Sequence, residues 1–392
     1  MKEDTLIVTA GRDPESNHGI VNPPVYHAST VLFPTVAALE KSQKQRLDSN
    51  TVYYGRFGTP TTFAFQNAMA QLDDGHRAIA VASGKCAILV SLMAFLKSGD
   101  HLLMVDSAYG PTRELCNGLL TRFGVTTTFY DPLIGSDIAN LIRPETQVVF
   151  TESPGSQTFE IQDIGVISRT AHENDCVVVM DNTWATSLFF KPFEHGVDVI
   201  VQAATKYILG HSDAMLGVIT TNAKNFEPIQ RAALDFGAPP GPDDVYLAQR
   251  GLRTLGVRLA RHMATGLRIA SWLQAQPQVA KVLHPGLPDD PGHSIWSRDF
   301  HGASGLFGLV LKETTKTMLA KMLDKMQLFK MGYSWGGYES LMIPTDPEKQ
   351  RTATCWRPEG PTLRIHAGLE DPDDLIQDLE QGLSRLSPTS SL

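Results

Sequence analysis

Cysteine is scarce in this chain. Four occur in 392 residues, Cys86, Cys116, Cys176 and Cys355, and none form a C-x-x-C pair. That excludes a disulfide framework and a thiolate zinc site, and the expectation is free thiols, mostly buried, in a reducing cytoplasm. Long apolar runs are missing too. The longest, Ala87 to Leu96, is broken only by Ser91 and is far too short to cross a bilayer, so no membrane partner is expected. Residues 1–20 are polar and lack the apolar centre of a secretory signal, and there is no Asn-x-Ser/Thr acceptor. Basic clusters are absent and the net charge is -8, which argues against nucleic acid as a partner. The twelve histidines show no ligand spacing, and His211 with Asp213 offers two ligands without a third, so no metal is expected. Glycine-rich nucleotide motifs fail as well. A P-loop would need glycine where Ile79 stands and serine or threonine where Cys86 stands, and no G-x-G-x-x-G follows a strand.

What is present is an alternation. After a Pro-, Asn-, Ser- and Thr-rich arm (residues 1–56), short apolar runs alternate with helix-length stretches. The expected strands are Ala78–Ala82, Leu102–Val105, Thr126–Tyr130, Val148–Glu152, Val177–Met180, Val199–Ala203 and Leu216–Thr220, with helices such as Gly84–Leu96, Gly110–Phe123 and Ile164–Glu173 between them. This predicts an α/β domain over 57–252 with a mainly parallel, seven-stranded sheet covered by helices. From 253 to 392 the texture changes. A long helix (Gly256–Gln274) precedes strands Val279–Leu283, Gly305–Leu311 and Leu363–His366 and helices Thr315–Met326 and Pro372–Leu386, a smaller α+β domain.

In open α/β sheets ligands gather beyond the carboxyl ends of the strands. Ser83-Gly84, Ser107 to Tyr109, Ser153-Pro154, Asp181 to Thr183 and Thr205-Lys206 all fall at such ends. Lys206 arrives where an apolar strand runs out. A half-buried lysine has a lowered pKa and is a candidate nucleophile or Schiff-base former. Ser83-Gly84-Lys85 opens a helix, where free N–H groups and the dipole suit a phosphate. One phosphate, an aldehyde for Lys206 and a ring nitrogen for Asp181 together describe pyridoxal 5'-phosphate (PLP). Tyr109 is placed to stack on its ring.

The runs Asp181-Asn182-Thr183-Trp184, Gln202 to Tyr207 and Gly210 to Asp213 resemble the Cys/Met-metabolism PLP enzymes, also called the trans-sulfuration enzymes. Tyr53 to Arg56 is similar to their phosphate-binding arm, and Gly251 to Leu255 to the start of their C-terminal domain, so the likeness spans residues 5 to 385. Tyr333 to Glu339 and Leu363 to Glu370 look most like the bacterial β-lyase branch. The resemblance implies PLP-transferase fold type I, the aspartate aminotransferase-like architecture, and a cytoplasmic homotetramer built from dimers. It implies β-elimination of L-cystathionine, with L-cystine and other cysteine conjugates as further substrates, in methionine biosynthesis. The rivals are cysteine desulfhydrase, γ-lyase or γ-synthase chemistry on the same scaffold, or a PLP-binding regulator without turnover.

By the same resemblance Lys206 is the Schiff-base lysine, Asp181 the ring-nitrogen partner and Tyr109 the stacking ring, and these three form the catalytic set. Ser83, Gly84, Lys85, Thr183 and Thr205 belong to the cofactor site. Tyr54 and Arg56 bind the phosphate from a neighbouring subunit, with Tyr54 also at the substrate. Arg364 clamps the substrate carboxylate, and Ser334 and Trp335 line the pocket. Many relatives carry serine where this chain has Ala203, and Lys85 is unusual beside a phosphate turn.

Overall fold

A computed structural model describes residues 1–386. The first sheet has seven strands: β1 (Arg77–Val81), β2 (His101–Val105), β3 (Thr126–Tyr130), β4 (Thr146–Glu152), β5 (Val177–Asp181), β6 (Val199–Gln202) and β7 (Gly217–Thr221), ordered β1-β7-β6-β5-β4-β2-β3. Strands β2 to β6 pair in parallel, while β7 pairs antiparallel with both β6 and β1, so only β7 runs against the rest. The expected strands are all present, within a residue or two at each end. They are near-continuous apolar runs because both faces are covered. Val149, Phe150, Val179, Met180 and Ile200 are fully buried, each contributing about 1.5–3 kcal/mol.

Sequence and structure part company in the helices. The expected Gly110–Phe123 helix is present but irregular: it is α-helical over Gly110–Leu115, widens into a π turn over Cys116–Leu120, and returns to α geometry at residues 121–122. Helices also cover Pro60–Leu72, Phe226–Phe236 and Pro242–Leu252, which the sequence reading leaves unassigned. The arm contains two more, Glu3–Thr9 and Val36–Lys44. Val36–Lys44 buries nothing, so no apolar stripe marks it, although Thr35 caps it by accepting the Ala38 N–H.

The second sheet is antiparallel, with strands β8 (Val279–Leu283), β9 (Leu306–Leu311), β10 (Leu341–Thr345) and β11 (Thr362–His366) in the order β10-β11-β9-β8. Strand β10 goes unread in the sequence because it contains Pro344. Proline is tolerated there because β10 is an edge strand.

One contact ties this sheet's β10–β11 connection to the first. The Asp106 carboxylate, just past β2, accepts from the backbone N–H groups of Thr352, Ala353 and Thr354, from both threonine hydroxyls, and from Arg113 at 2.9 Å. Burial alone would raise its pKa, but these donors hold it below the usual carboxylate range. Arg351 adds an ion pair with Glu160 at 2.7 Å. All four cysteines are free, as expected; Cys116 and Cys176 are buried, Cys86 is half-buried, and only Cys355 is exposed. Among the described residues no helix is long and apolar enough to cross a membrane.

Candidate active site

The carboxyl ends of β1, β2, β4, β5 and β6 open into one cavity of about 430 Å³. Ser83, Gly84 and Lys85 reach it from β1, Tyr109 from β2, Asp181 and Thr183 from β5, and Thr205 and Lys206 from β6. The opposite wall comes from the later part of the chain, with Trp335 and Arg364. Ser334 joins through Lys206, whose Nζ donates to its Oγ at 2.6 Å. The exceptions are Tyr54 and Arg56. Within one chain they lie outside this cavity: Tyr54 is exposed, and Arg56 donates to the Leu234 carbonyl at 3.1 Å.

At the turn after β1, Ser83 caps the Gly84–Met93 helix, its Oγ accepting the Cys86 N–H at 3.2 Å. The first N–H groups of a helix have no intrahelical partner, so those of Gly84 and Lys85 are available to an anion. Glycine is required here by space. A Cβ on Gly84 would lie 2.5 Å from the Ala203 Cβ, because the helix start sits directly on the end of β6. The Thr205 hydroxyl is already engaged with the backbone of Leu216, donating at 3.2 Å and accepting at 3.0 Å.

Asp181 accepts from the Thr183 N–H at 2.9 Å and from its hydroxyl, and that hydroxyl in turn accepts the Ala203 N–H at 2.8 Å. Thr183 therefore locks the ends of β5 and β6 together and aims the carboxylate. Glu152, in register with Asp181 on β4, also lines the cavity, and its Oε2 accepts the Tyr109 N–H at 2.8 Å. Burial raises both carboxyls, and the Asp181 charge drives Glu152 further up. The sequence reading passed over Glu152, although it ends an apolar strand as Asp181 does.

Burial pulls the Lys206 pKa down to about 8, helped by the Arg364 charge and opposed by Asp181. Its ammonium also lies 5.4 Å from the centre of the Trp335 ring. Arg364 spends one N–H on the Ser334 carbonyl at 2.9 Å, leaving the rest of its fork to the cavity. The Tyr109 hydroxyl is raised, chiefly by burial, and stays protonated at neutral pH.

These residues fit PLP. A helix start that only glycine permits offers N–H donors to one phosphate, a carboxylate held by Thr183 suits a protonated ring nitrogen, and a lysine that burial lowers to about 8 suits an aldehyde. Comparison with known proteins agrees. Residues 4–384 match the family described as Cys/Met metabolism PLP-dependent enzyme. The cystathionine β-lyase MetC of Escherichia coli is 43% identical over 394 residues, covering 98% of this chain and 99% of that one. The cystathionine β-lyase of Salmonella typhimurium is 44% identical, covering 98% of each. The crystal structure of MetB from Corynebacterium glutamicum superposes with a TM-score of 0.91 at 29% identity, covering 99% of both chains. A fold type I sheet, a cavity at its strand ends and a family match along nearly the whole length converge, and the chain belongs to the Cys/Met metabolism PLP-dependent enzymes.

Proposed function

We infer that this chain is a PLP-dependent carbon–sulfur lyase that cleaves L-cystathionine by β-elimination to homocysteine, pyruvate and ammonia. One observation carries the reading: Lys206, Asp181 and Arg364, drawn from two different sheets, open into a single cavity. The relatives named cystathionine β-lyase support the substrate. Bound there, PLP supplies an aldehyde for the substrate amine and a protonated ring that takes up the electrons left when the α-proton departs.

The chain's own residues do the rest. The helix start at Gly84 and Lys85 holds the phosphate, and Asp181, aimed by Thr183, keeps the ring nitrogen protonated. The free part of the Arg364 fork binds the substrate α-carboxylate as a bidentate pair. The Lys206 amine, unprotonated in an appreciable fraction near pH 8, takes the α-proton. As the Cβ–S bond breaks, a proton from Lys206 or from the Tyr109 hydroxyl completes the thiol of homocysteine. The three-carbon enamine left behind takes up water and yields pyruvate and ammonia. Trp335 and Ser334 shape the pocket.

Tyr54 and Arg56 serve the same site from a second copy, in a homotetramer built from dimers. The exposed arm supports this, since it leaves the apolar side chains of Ile20, Val21, Leu32 and Val36 exposed in the single chain. Residues 57–252 act as the cofactor domain and 253–392 as the smaller domain, and the free cysteines suit a cytoplasmic setting.

Feeding L-cystathionine to the cofactor-loaded protein and identifying the keto acid tests the reading. Pyruvate with one thiol per turnover is expected. 2-Oxobutyrate would assign γ-elimination instead, and no keto acid at all would overturn the lyase.

A further inference from the structure

Arg364 and His366 stand two residues apart on β11, so strand alternation puts both on one face. Both are used on the same loop. Arg364 donates to the Ser334 carbonyl at 2.9 Å, and His366 Nε2 lies 3.2 Å from the Gly336 nitrogen. The loop is held in an unusual shape, with φ of 96° at Ser334 and 86° at Gly336. It also lies against the backbone of Lys206, since a Cβ on Gly336 would come within 2.9 Å of the Lys206 carbonyl carbon.

His366 Nε2 has two neighbours that it cannot serve together. Besides the Gly336 N–H, the Gly337 carbonyl lies 3.1 Å away. A bare Nε2 accepts from Gly336, whereas a protonated one donates to Gly337. His262 decides between them. Its Nδ1 is 2.8 Å from the Ala367 carbonyl, which can only accept, so Nδ1 carries the proton. Burial depresses both rings, His262 to about 4 and His366 to about 3, so each is neutral and the His262 Nε2 is a bare acceptor.

That nitrogen and His366 Nδ1 are both buried, and neither has a hydrogen-bond partner among the described residues. The two ring centroids are 5.1 Å apart and the planes tilt by 39°; the nitrogens make no direct hydrogen bond, so one bridging water is what would join them. A proton on His366 Nδ1 supplies a donor to match the bare His262 Nε2 across such a water, and leaves Nε2 free to accept from Gly336. A proton on Nε2 would leave two bare nitrogens and an orphaned N–H, and buried orphan N–H groups are rarer than under-satisfied carbonyls.

We propose that His262 and His366 are a positioning pair: His262 fixes His366 as its Nδ1–H tautomer, which holds the Gly336 N–H and so sets Ser334 beside the Lys206 amine. The effect on turnover rests on the lyase reading, whereas the tautomer does not.

Nitrogen-15 NMR of histidine-labelled, cofactor-loaded protein tests the pair, with single variants for assignment. His366 should show a protonated Nδ1 and a bare Nε2 across neutral pH. His262→Phe should move the proton to Nε2 and lower kcat about tenfold with KM nearly unchanged. His366→Gln, whose side-chain oxygen can still accept from Gly336, should retain more turnover than His366→Leu. A protonated Nε2 in the unmodified protein overturns the proposal, even if no variant folds, and so does a tautomer that ignores His262→Phe. An inactive protein with the expected tautomer would count against the lyase reading alone.

Discussion

The Lys206 amine donates to the Ser334 hydroxyl at 2.6 Å, and the Ser334 carbonyl accepts from Arg364 at 2.9 Å. The proposed proton carrier and the proposed carboxylate clamp are thus linked through one residue. Ser334→Ala should lower kcat about tenfold, the size of one charge-assisted hydrogen bond, while the melting temperature stays close to that of the parent. Steady-state kinetics beside a thermal melt would show whether the loss is catalytic.

The charges around Lys206 give a second prediction with a definite sign. In cofactor-free protein, modification of Lys206 by an amine reagent should titrate with a midpoint of about 8. Asp181 favours the ammonium, so Asp181→Asn should lower the midpoint. Arg364 disfavours it, so Arg364→Leu should raise it. Peptide mapping across a pH series reads both. A midpoint near the ordinary lysine value would contradict the burial seen here.

Space at the proposed phosphate turn gives a third. Gly84→Ala would drive a methyl into Ala203 at 2.5 Å, and the helix start would have to back away from β6. Overpacking of this kind costs about 1–3 kcal/mol. Cofactor affinity, measured by absorbance or fluorescence titration, should fall by about five- to a hundredfold, well before global stability is lost.

Much of this site can be read from the chain because its chemistry falls where apolar runs end. Lys206, Asp181 and Ser83 each follow a strand that buries both faces, so a polar group there has few alternatives to facing a cavity. Tyr54, Arg56, Ser334 and Trp335 carry no such signal, and resemblance alone assigns them. Glu152 is masked by the Ser153-Pro154 turn that follows it, and its significance depends on a register with β5 that no local pattern reveals. His366 looked like the end of a strand, and only the tertiary approach of His262 and Gly336 gives it meaning. Strand β10 was hidden by Pro344, which edge position alone excuses.

Buried histidines predict how the protein responds to acid. His262 and His284 are depressed to about 4 and His366 to about 3, below their unfolded value of 6.5. Between those values the unfolded chain binds protons that the folded chain refuses, so stability is full above 6.5 and is lost as pH falls toward 4. Each ring contributes on the order of 1 kcal/mol or more. Melting temperature against pH should decline over that window, and His284→Phe should flatten the decline.

The proposed shared site predicts complementation. Lys206→Ala and Arg56→Ala chains, each inactive alone, should regain some lyase activity when unfolded and refolded together, since hybrid assemblies contain one intact site. Mixtures that stay dead would confine the site to a single chain.

The Asp106 contact has a mechanical side. It gathers five donors from Thr352, Ala353 and Thr354 three residues before Tyr109, and Arg351 is pinned to Glu160 alongside. Swinging the second sheet away as a body would strand these buried charges together, at about 1.5–3 kcal/mol for each charged hydrogen bond. The two walls of the cavity therefore behave as one riveted frame. Any closure that moves the two halves as bodies has to break the Asp106 and Glu160 contacts first.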